Sequence, residues 1–308
     1  MKKENKKILI VVAVFAALLI LGGIFDESIA KALTNQDSVW ATIWQSYGMF
    51  PSKLLPFIAG LVVAFAAFHL PNNEIRKWIQ IAGGFGFAWL SAVTYAKEAL
   101  TYTAIMNANI ADKLPLGKAD NDHANALVIP FGKEMLIAGI IFVIGAALAY
   151  VWLRNKTPEQ FKRLVIVAIG GVAVTFIAPE IVDTMKGAWG RFRPYEILTY
   201  KVDGAHFTSW WHINGNNGHK SFPSGHSCQG AMLLYLPFFI ERNKFKLQKI
   251  ATVLCGAYAV SMMFSRMVVG AHFLSDVATG ATVTLLTIFV VTRALGMVFV
   301  ESENELKA

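Results

Sequence analysis

Charge is scarce in this chain. Of its 308 residues only 16% are Asp, Glu, Lys or Arg, against roughly 25% in ordinary soluble domains. Acids are the rarer sign, 20 against 28 bases. Cysteine is scarcer still. Cys228 and Cys255 both fall in apolar segments, where a thiol behaves as a small hydrophobe, so a disulfide framework and a thiolate metal site are both excluded. Low-complexity tracts and internal repeats are absent as well, which excludes a solenoid and a long unstructured linker. What remains is apolar. There are 22 Phe and 8 Trp, hydrophobic residues make up 55%, and the mean hydropathy is +0.49. One water-soluble domain cannot hide that much apolar surface, and a disordered chain would not contain it. The composition predicts a polytopic membrane protein.

Apolar runs fall at about 8–25, 54–70, 79–97, 135–153, 164–182, 226–240, 250–264 and 274–292. Spans need about 20 residues each, so the expected fold is all-α, a membrane bundle of about eight transmembrane helices. Pro179 lies inside the fifth run and is expected to kink it. The run at 226–240 is short and ends near Pro237. Placing MKKENKK in the cytoplasm and alternating sides puts 1–7, 71–78, 154–163, 241–249 and 293–308 inside. Those 50 residues carry 16 of the 28 Lys and Arg, a density about threefold that of the outer loops. The bias fits the positive-inside rule. It also assigns the net charge of +8 to one leaflet and not to nucleic acid. The expected location is the cell membrane, with both termini cytoplasmic. The first run is longer than the core of a usual signal peptide and reads as an uncleaved anchor.

Three polar patches escape this membrane logic, and all three land on the outer face. One is Lys186-Gly-Ala-Trp-Gly-Arg191-Phe-Arg193-Pro194 after the fifth run. Another is Pro223-Ser224-Gly225-His226, opening the sixth. The last is Ser265-Arg266, His272 and Asp276, linking the seventh and eighth. Each alone has a plain reading as headgroup anchors, a capped helix start or a structural pair. Their convergence at one depth favours chemistry. Lys186 and Arg193, seven apart, would share a helical face. With Arg266 they offer a cationic cradle, the guanidiniums gripping phosphate oxygens bidentately. Ser224 and Gly225 supply a hydroxyl and N–H groups at a helix start, where the dipole favours an anion. Asp276, one turn beyond His272, is expected to accept from one ring nitrogen and leave the other as a nucleophile. His226 is then placed to protonate the leaving oxygen. Such a reaction requires no metal ion.

In order and spacing, K-x6-R-P, P-S-G-H and S-R-x5-H-x3-D resemble the signature motifs of the type 2 phosphatidic acid phosphatase (PAP2) superfamily. That superfamily includes membrane lipid phosphatases, glucose-6-phosphatase and vanadium haloperoxidases. The motifs occupy 186–194, 223–226 and 265–276 without departure. The resemblance implies a PAP2/haloperoxidase-like core over 136–300, preceded at 1–135 by N-terminal spans and outer loops. Family members usually carry three spans ahead of the first motif, where this chain has about five. The resemblance implies catalytic roles for His272 (phosphohistidine), Asp276 (its assistant) and His226 (acid, then base). It gives Lys186, Arg193, Ser224, Gly225 and Arg266 to phosphate binding, with no metal and no cofactor.

The expected function is hydrolysis of a lipid phosphate monoester or pyrophosphate at the outer leaflet. A lipid-to-lipid phosphotransferase would use the same phosphohistidine. A transporter with an anion site would place its ionisable residues nearer the midplane. Elsewhere, Asp120, Asp122 and His123 read as a polar turn and not a metal site, for want of a second ligand set. The loop 195–222, with His206, Phe207, Trp210, Trp211, His212 and His219, is a headgroup belt or a lid. Glu180 and Asp183 either orient Lys186 or simply pair with it.

Overall fold

A computed structural model describes residues 3–118 and 129–297, all regular structure among them being helical. Asp120, Asp122 and His123 lie outside the described residues. In chain order the helices are α1 (Lys3–Leu33), α2 (Val39–Tyr47), α3 (Pro51–His69), α4 (Glu74–Ala111) and α5 (Phe131–Leu153). These are followed by α6 (Pro158–Trp189), α7 (Pro194–Leu198), α8 (Gly225–Ala231), α9 (Phe245–Val268) and α10 (Leu274–Ala294). A 3-10 segment, Met232–Phe239, continues α8.

Several starts follow from local chemistry. Thr157 and Gln160 form a reciprocal capping box at α6, with Pro158 as its first residue. Asn73 caps α4 through the Arg76 N–H at 2.8 Å, and Ser38 caps α2. Pro179 lies within α6, which runs unbroken to Trp189.

Among the described residues, six stretches are long and apolar enough to cross a membrane: Leu9–Leu33, Val39–His69, Phe131–Leu153, Pro158–Leu198, Phe245–Val268 and Leu274–Ala294. The chain is thus an all-helical polytopic bundle, yet two of the eight expected spans differ from the rest. The run at 79–97 lies inside the 38-residue α4, ample in length, but Gln80, Lys97, Glu98 and several hydroxyl residues dilute its apolar character. The run at 226–240 is α8 plus the 3-10 segment. A 3-10 helix rises about 2.0 Å per residue and an α-helix about 1.5 Å, so the two reach roughly 26 Å, short of a ~30 Å hydrocarbon core.

The main core joins α3, α6, α8 with its 3-10 continuation, and α10, through Leu55, Val62, Phe161, Val174, Met232 and Ile288. Tyr235 is fully buried there, and its hydroxyl donates to the Val167 carbonyl at 2.8 Å. This core fixes α8 and the start of α10 against the end of α6, which brings the three motif regions to one end of the bundle. The N-terminal helices join the same body: α1 packs on α10, α2 on α9, and α3 on α6.

Candidate active site

The first motif turns on a glycine. Helix α6 ends at Trp189, and Gly190 follows with φ +54°, a left-handed cap. A β-carbon there would lie 2.0 Å from the Gly215 carbonyl oxygen, so no other residue fits. The break corrects one expectation: Lys186 and Arg193 do not share a helical face. Lys186 is in the last turn of α6 and Arg193 caps α7. The turn brings them together. Glu196 accepts from the Arg193 N–H at 2.6 Å and holds that turn.

A cavity of about 730 Å³ opens at this end. Its wall includes Lys186, Arg193, Gly225, His226, Arg266 and His272. Six of the eight residues singled out in the sequence therefore meet in one space. The other two lie behind the wall. Ser224 is buried as the cap of α8, its Oγ accepting from the Ser227 N–H at 3.3 Å. Asp276 is buried in the first turn of α10.

The two histidines are held in complementary ways. His272 Nδ1 is 2.7 Å from the Ser221 carbonyl. A carbonyl only accepts, so Nδ1 carries the proton and Nε2 keeps a free lone pair. His226 Nε2 is 3.2 Å from the Gln45 carbonyl, so Nε2 carries its proton and Nδ1 is left to take or give one.

Asp276 does not accept directly from His272, contrary to the sequence expectation. Its Oδ2 is 3.8 Å from Nδ1, beyond hydrogen-bond range. The carboxylate accepts instead from Arg191 Nη1 at 2.5 Å, Ser221 Oγ at 2.6 Å and the Phe273 N–H at 2.8 Å. Asp276 fixes Ser221, and Ser221 orients the imidazole.

Burial above all pushes His272 down to about 3 from the usual 6.5, with the charges of Arg193 and Arg266 adding and Asp276 pulling back. Between those pH values the unfolded chain binds a proton at this site that the folded chain does not. Stability is therefore whole above pH 6.5 and is lost as the pH falls toward 3. Thermal unfolding in detergent is expected to show a midpoint that declines from pH 7 to 4, with a flatter decline in His272→Gln. An equal slope in both proteins would assign the acid sensitivity to another group.

The cations are arranged around open space. Lys186 Nζ is 3.4 Å from Asp183 Oδ1, whose own side chain is 70% exposed, so the ammonium is only loosely engaged; Glu180 is exposed. A β-carbon on Gly225 would lie 2.7 Å from Lys186 Nζ, and the glycine thus gives the ammonium its place over the α8 start. Arg266 is buried and donates through Nη1 to Gln45 Oε1 at 2.8 Å. Its Nε is buried without a hydrogen-bond partner among the described residues. An unmet donor on a buried guanidinium fits an anion. Among the described residues, no group of three or more His, Cys, Asp or Glu is placed to hold a metal.

Several contributors escape sequence reading. Arg191 is fully buried and its guanidinium lies 4.2 Å from the Phe273 ring centre. It pairs with Asp276 and, through Nη2 at 3.0 Å, with Asp26 of α1. Met49, Tyr102 and Lys118 of the N-terminal part also line the cavity. Tyr102 meets the His226 ring edge-on at 6.1 Å between centres. The aromatic loop packs largely against helices: Trp210 Nε1 donates to the Leu19 carbonyl, and Trp189 Nε1 to the Trp210 carbonyl.

The family model described as PAP2 superfamily matches residues 160–299, the stretch that carries all three motifs. Over this stretch the chain is similar to the PAP2 superfamily. It is 27% identical over 214 residues to the lipid A 1-phosphatase of Rhizobium johnstonii, covering 65% of this chain and 81% of that protein. No solved structure matches the chain at a significant level. The PAP2 match leaves out α1 to α5, so Tyr102, which lines the cavity, Gln45, which bonds Arg266 and His226, and Asp26, which pairs with Arg191, all come from outside the matched segment.

Proposed function

We propose that the chain is an integral-membrane lipid phosphatase acting on a phosphate monoester or diphosphate at the outer leaflet. The match to the PAP2 superfamily model and the similarity to a lipid A 1-phosphatase support the phosphatase activity. The observation that carries the mechanism is the pairing of His272, with Nε2 free, and His226, with Nδ1 free, on one cationic cavity. The phosphoryl group binds to Lys186, Arg193 and Arg266. His272 Nε2 attacks phosphorus, a P–N bond forms, and the bond to the lipid oxygen breaks as His226 gives that oxygen a proton. Water then attacks the phosphohistidine, His226 takes its proton, and the P–N bond breaks to release inorganic phosphate. Proton transfers and positive charge suffice for both steps, and no divalent ion is needed.

The outward orientation rests on the Lys and Arg bias of the loops. A site at the ends of the helices lets a lipid enter from the side while its phosphate reaches polar groups. Ser224 assists by ordering the α8 start, and Asp276 acts through Ser221.

Purified protein in detergent with excess chelator is expected to release phosphate from members of a panel of lipid phosphates. The panel would include phosphatidic acid, phosphatidylglycerol phosphate, undecaprenyl pyrophosphate and a lipid A phosphate. Activity restored only by a divalent ion would overturn the metal-free mechanism. Replacing Lys186 or Arg193 with alanine is expected to lower kcat/KM by about 10²–10³, or roughly 2.7–4 kcal/mol of transition-state stabilisation. A change below threefold would remove that side chain from the phosphate site.

A further inference from the structure

We propose that Gln45, in the short helix α2, is a positioning residue that presents both Arg266 and His226 to the phosphate. The proposal rests on the anion site described above and extends it beyond the superfamily segment, which begins at residue 160. Gln45 is 3% exposed and uses every part of itself. Its side-chain oxygen accepts from Arg266 Nη1 at 2.8 Å, and its backbone carbonyl accepts from His226 Nε2 at 3.2 Å. Its amide nitrogen donates to the Gly117 carbonyl at 3.1 Å, tying α2 to the segment that follows α4.

Each contact has a consequence for the chemistry. A guanidinium carries five N–H groups in a rigid fork, so fixing Nη1 fixes the plane and aims the rest. The partnerless Nε of Arg266 then has a set direction. A neutral amide suits this task better than a carboxylate, because it orients the cation without cancelling the charge the phosphate needs. The backbone contact keeps the proton on His226 Nε2 and accepts from it still when the ring is doubly protonated, leaving Nδ1 as the nitrogen that exchanges protons with substrate. One residue thereby sets the spacing between an anion-binding cation and the acid–base histidine. This gives the N-terminal helices a part in the active site.

The test reads binding of inorganic phosphate by calorimetry in detergent, with thermal unfolding of each variant measured alongside. Gln45→Ala is expected to weaken phosphate binding about tenfold with the folded state retained. Gln45→Glu, nearly the same in shape, is expected to weaken it at least as much, because its carboxylate engages the Arg266 charge; a residue that merely fills space would tolerate this change. In an Arg266→Ala background, Gln45→Ala is expected to add less than twofold, since its side chain works through that arginine. Effects that multiply in the double variant, or a Gln45→Glu protein that binds like wild type, would overturn the proposal. If Gln45→Ala fails to fold, Gln45→Glu and its double with Arg266→Ala decide the matter. A wild-type protein that binds no phosphate would sink the phosphatase reading and this inference with it. Phosphate bound normally by wild type and by both Gln45 variants would sink this inference alone.

Discussion

His272→Ala is expected to lose turnover by about 10⁴–10⁶ in kcat, the scale seen when a covalent nucleophile is removed, while the protein still inserts and folds. The two effects separate because of what His272 touches. It lies in the link between α9 and α10, and its hydrogen bond is to the Ser221 carbonyl. Truncation strips one partner from that carbonyl, a loss of about 1–3 kcal/mol, and leaves the Asp276 and Arg191 contacts in place. Among the described residues the other histidine on the cavity wall is His226, which is assigned to proton transfer and is not expected to take over. Labelled substrate, quenched in base, should leave acid-labile phosphate on the wild-type chain and none on His272→Ala. His226→Ala should accumulate the label if the second step slows more than the first. Near-normal phosphate release by His272→Ala, or label on a different residue, would refute the assignment of the nucleophile.

Much of the site was legible because its chemistry is concentrated in three short segments with fixed internal spacing. Lys186 and Arg193, Ser224 to His226, and Arg266 to Asp276 stand out against apolar surroundings, where a charge is costly and needs a reason. The capped start of α8 at Ser224 could also be read directly. The departures have physical causes. Seven-residue spacing suggested a helical face, but Gly190 ends α6 in a left-handed turn, and a turn joins the two cations instead. Spacing of four placed Asp276 beside His272, yet at a helix start the carboxylate bonds the Phe273 N–H and turns from the ring, so Ser221 comes between them. Gln45 and Tyr102 gave no signal, since polar or aromatic residues near span ends are common and the motif residues they contact, His226 and Arg266, lie more than 120 positions away. Asp26 did carry one, an acid beside Glu27 at the edge of an apolar run. It falls just past the run at 8–25, where the hydropathy drops, whereas α1 continues to Leu33 and puts Asp26 within the helix.

Arg191→Met is expected to destabilise the protein by about 3–5 kcal/mol, the cost of leaving buried charges without their partner. Arg191, Asp26 and Asp276 all have fully buried side chains. The guanidinium spends its donors on separate acceptors: Nε on the Thr208 carbonyl, Nη1 on Ser275 and Asp276, and Nη2 on Asp26. Ser275 closes the ring, donating to Asp26 Oδ2 at 2.5 Å while its N–H donates to Oδ1 at 3.1 Å. Without the arginine, two buried carboxylates remain with no counter-charge, and the Ser275 bonds are left as the polar tie of α1 to α10. Arg191→Lys is expected to recover little, because one ammonium cannot reach acceptors spread around a planar fork. Asp26→Asn should cost less, about 1–2 kcal/mol, since Arg191 keeps Asp276 and the amide oxygen still accepts. Thermal unfolding in detergent and protease sensitivity of α1 check the order, with Arg191→Met and Arg191→Lys below Asp26→Asn and all three below wild type. Arg191→Met as stable as the parent would mean that apolar packing alone holds α1 in place. Asp276 would then owe its fixed position to Ser221 and the Phe273 N–H.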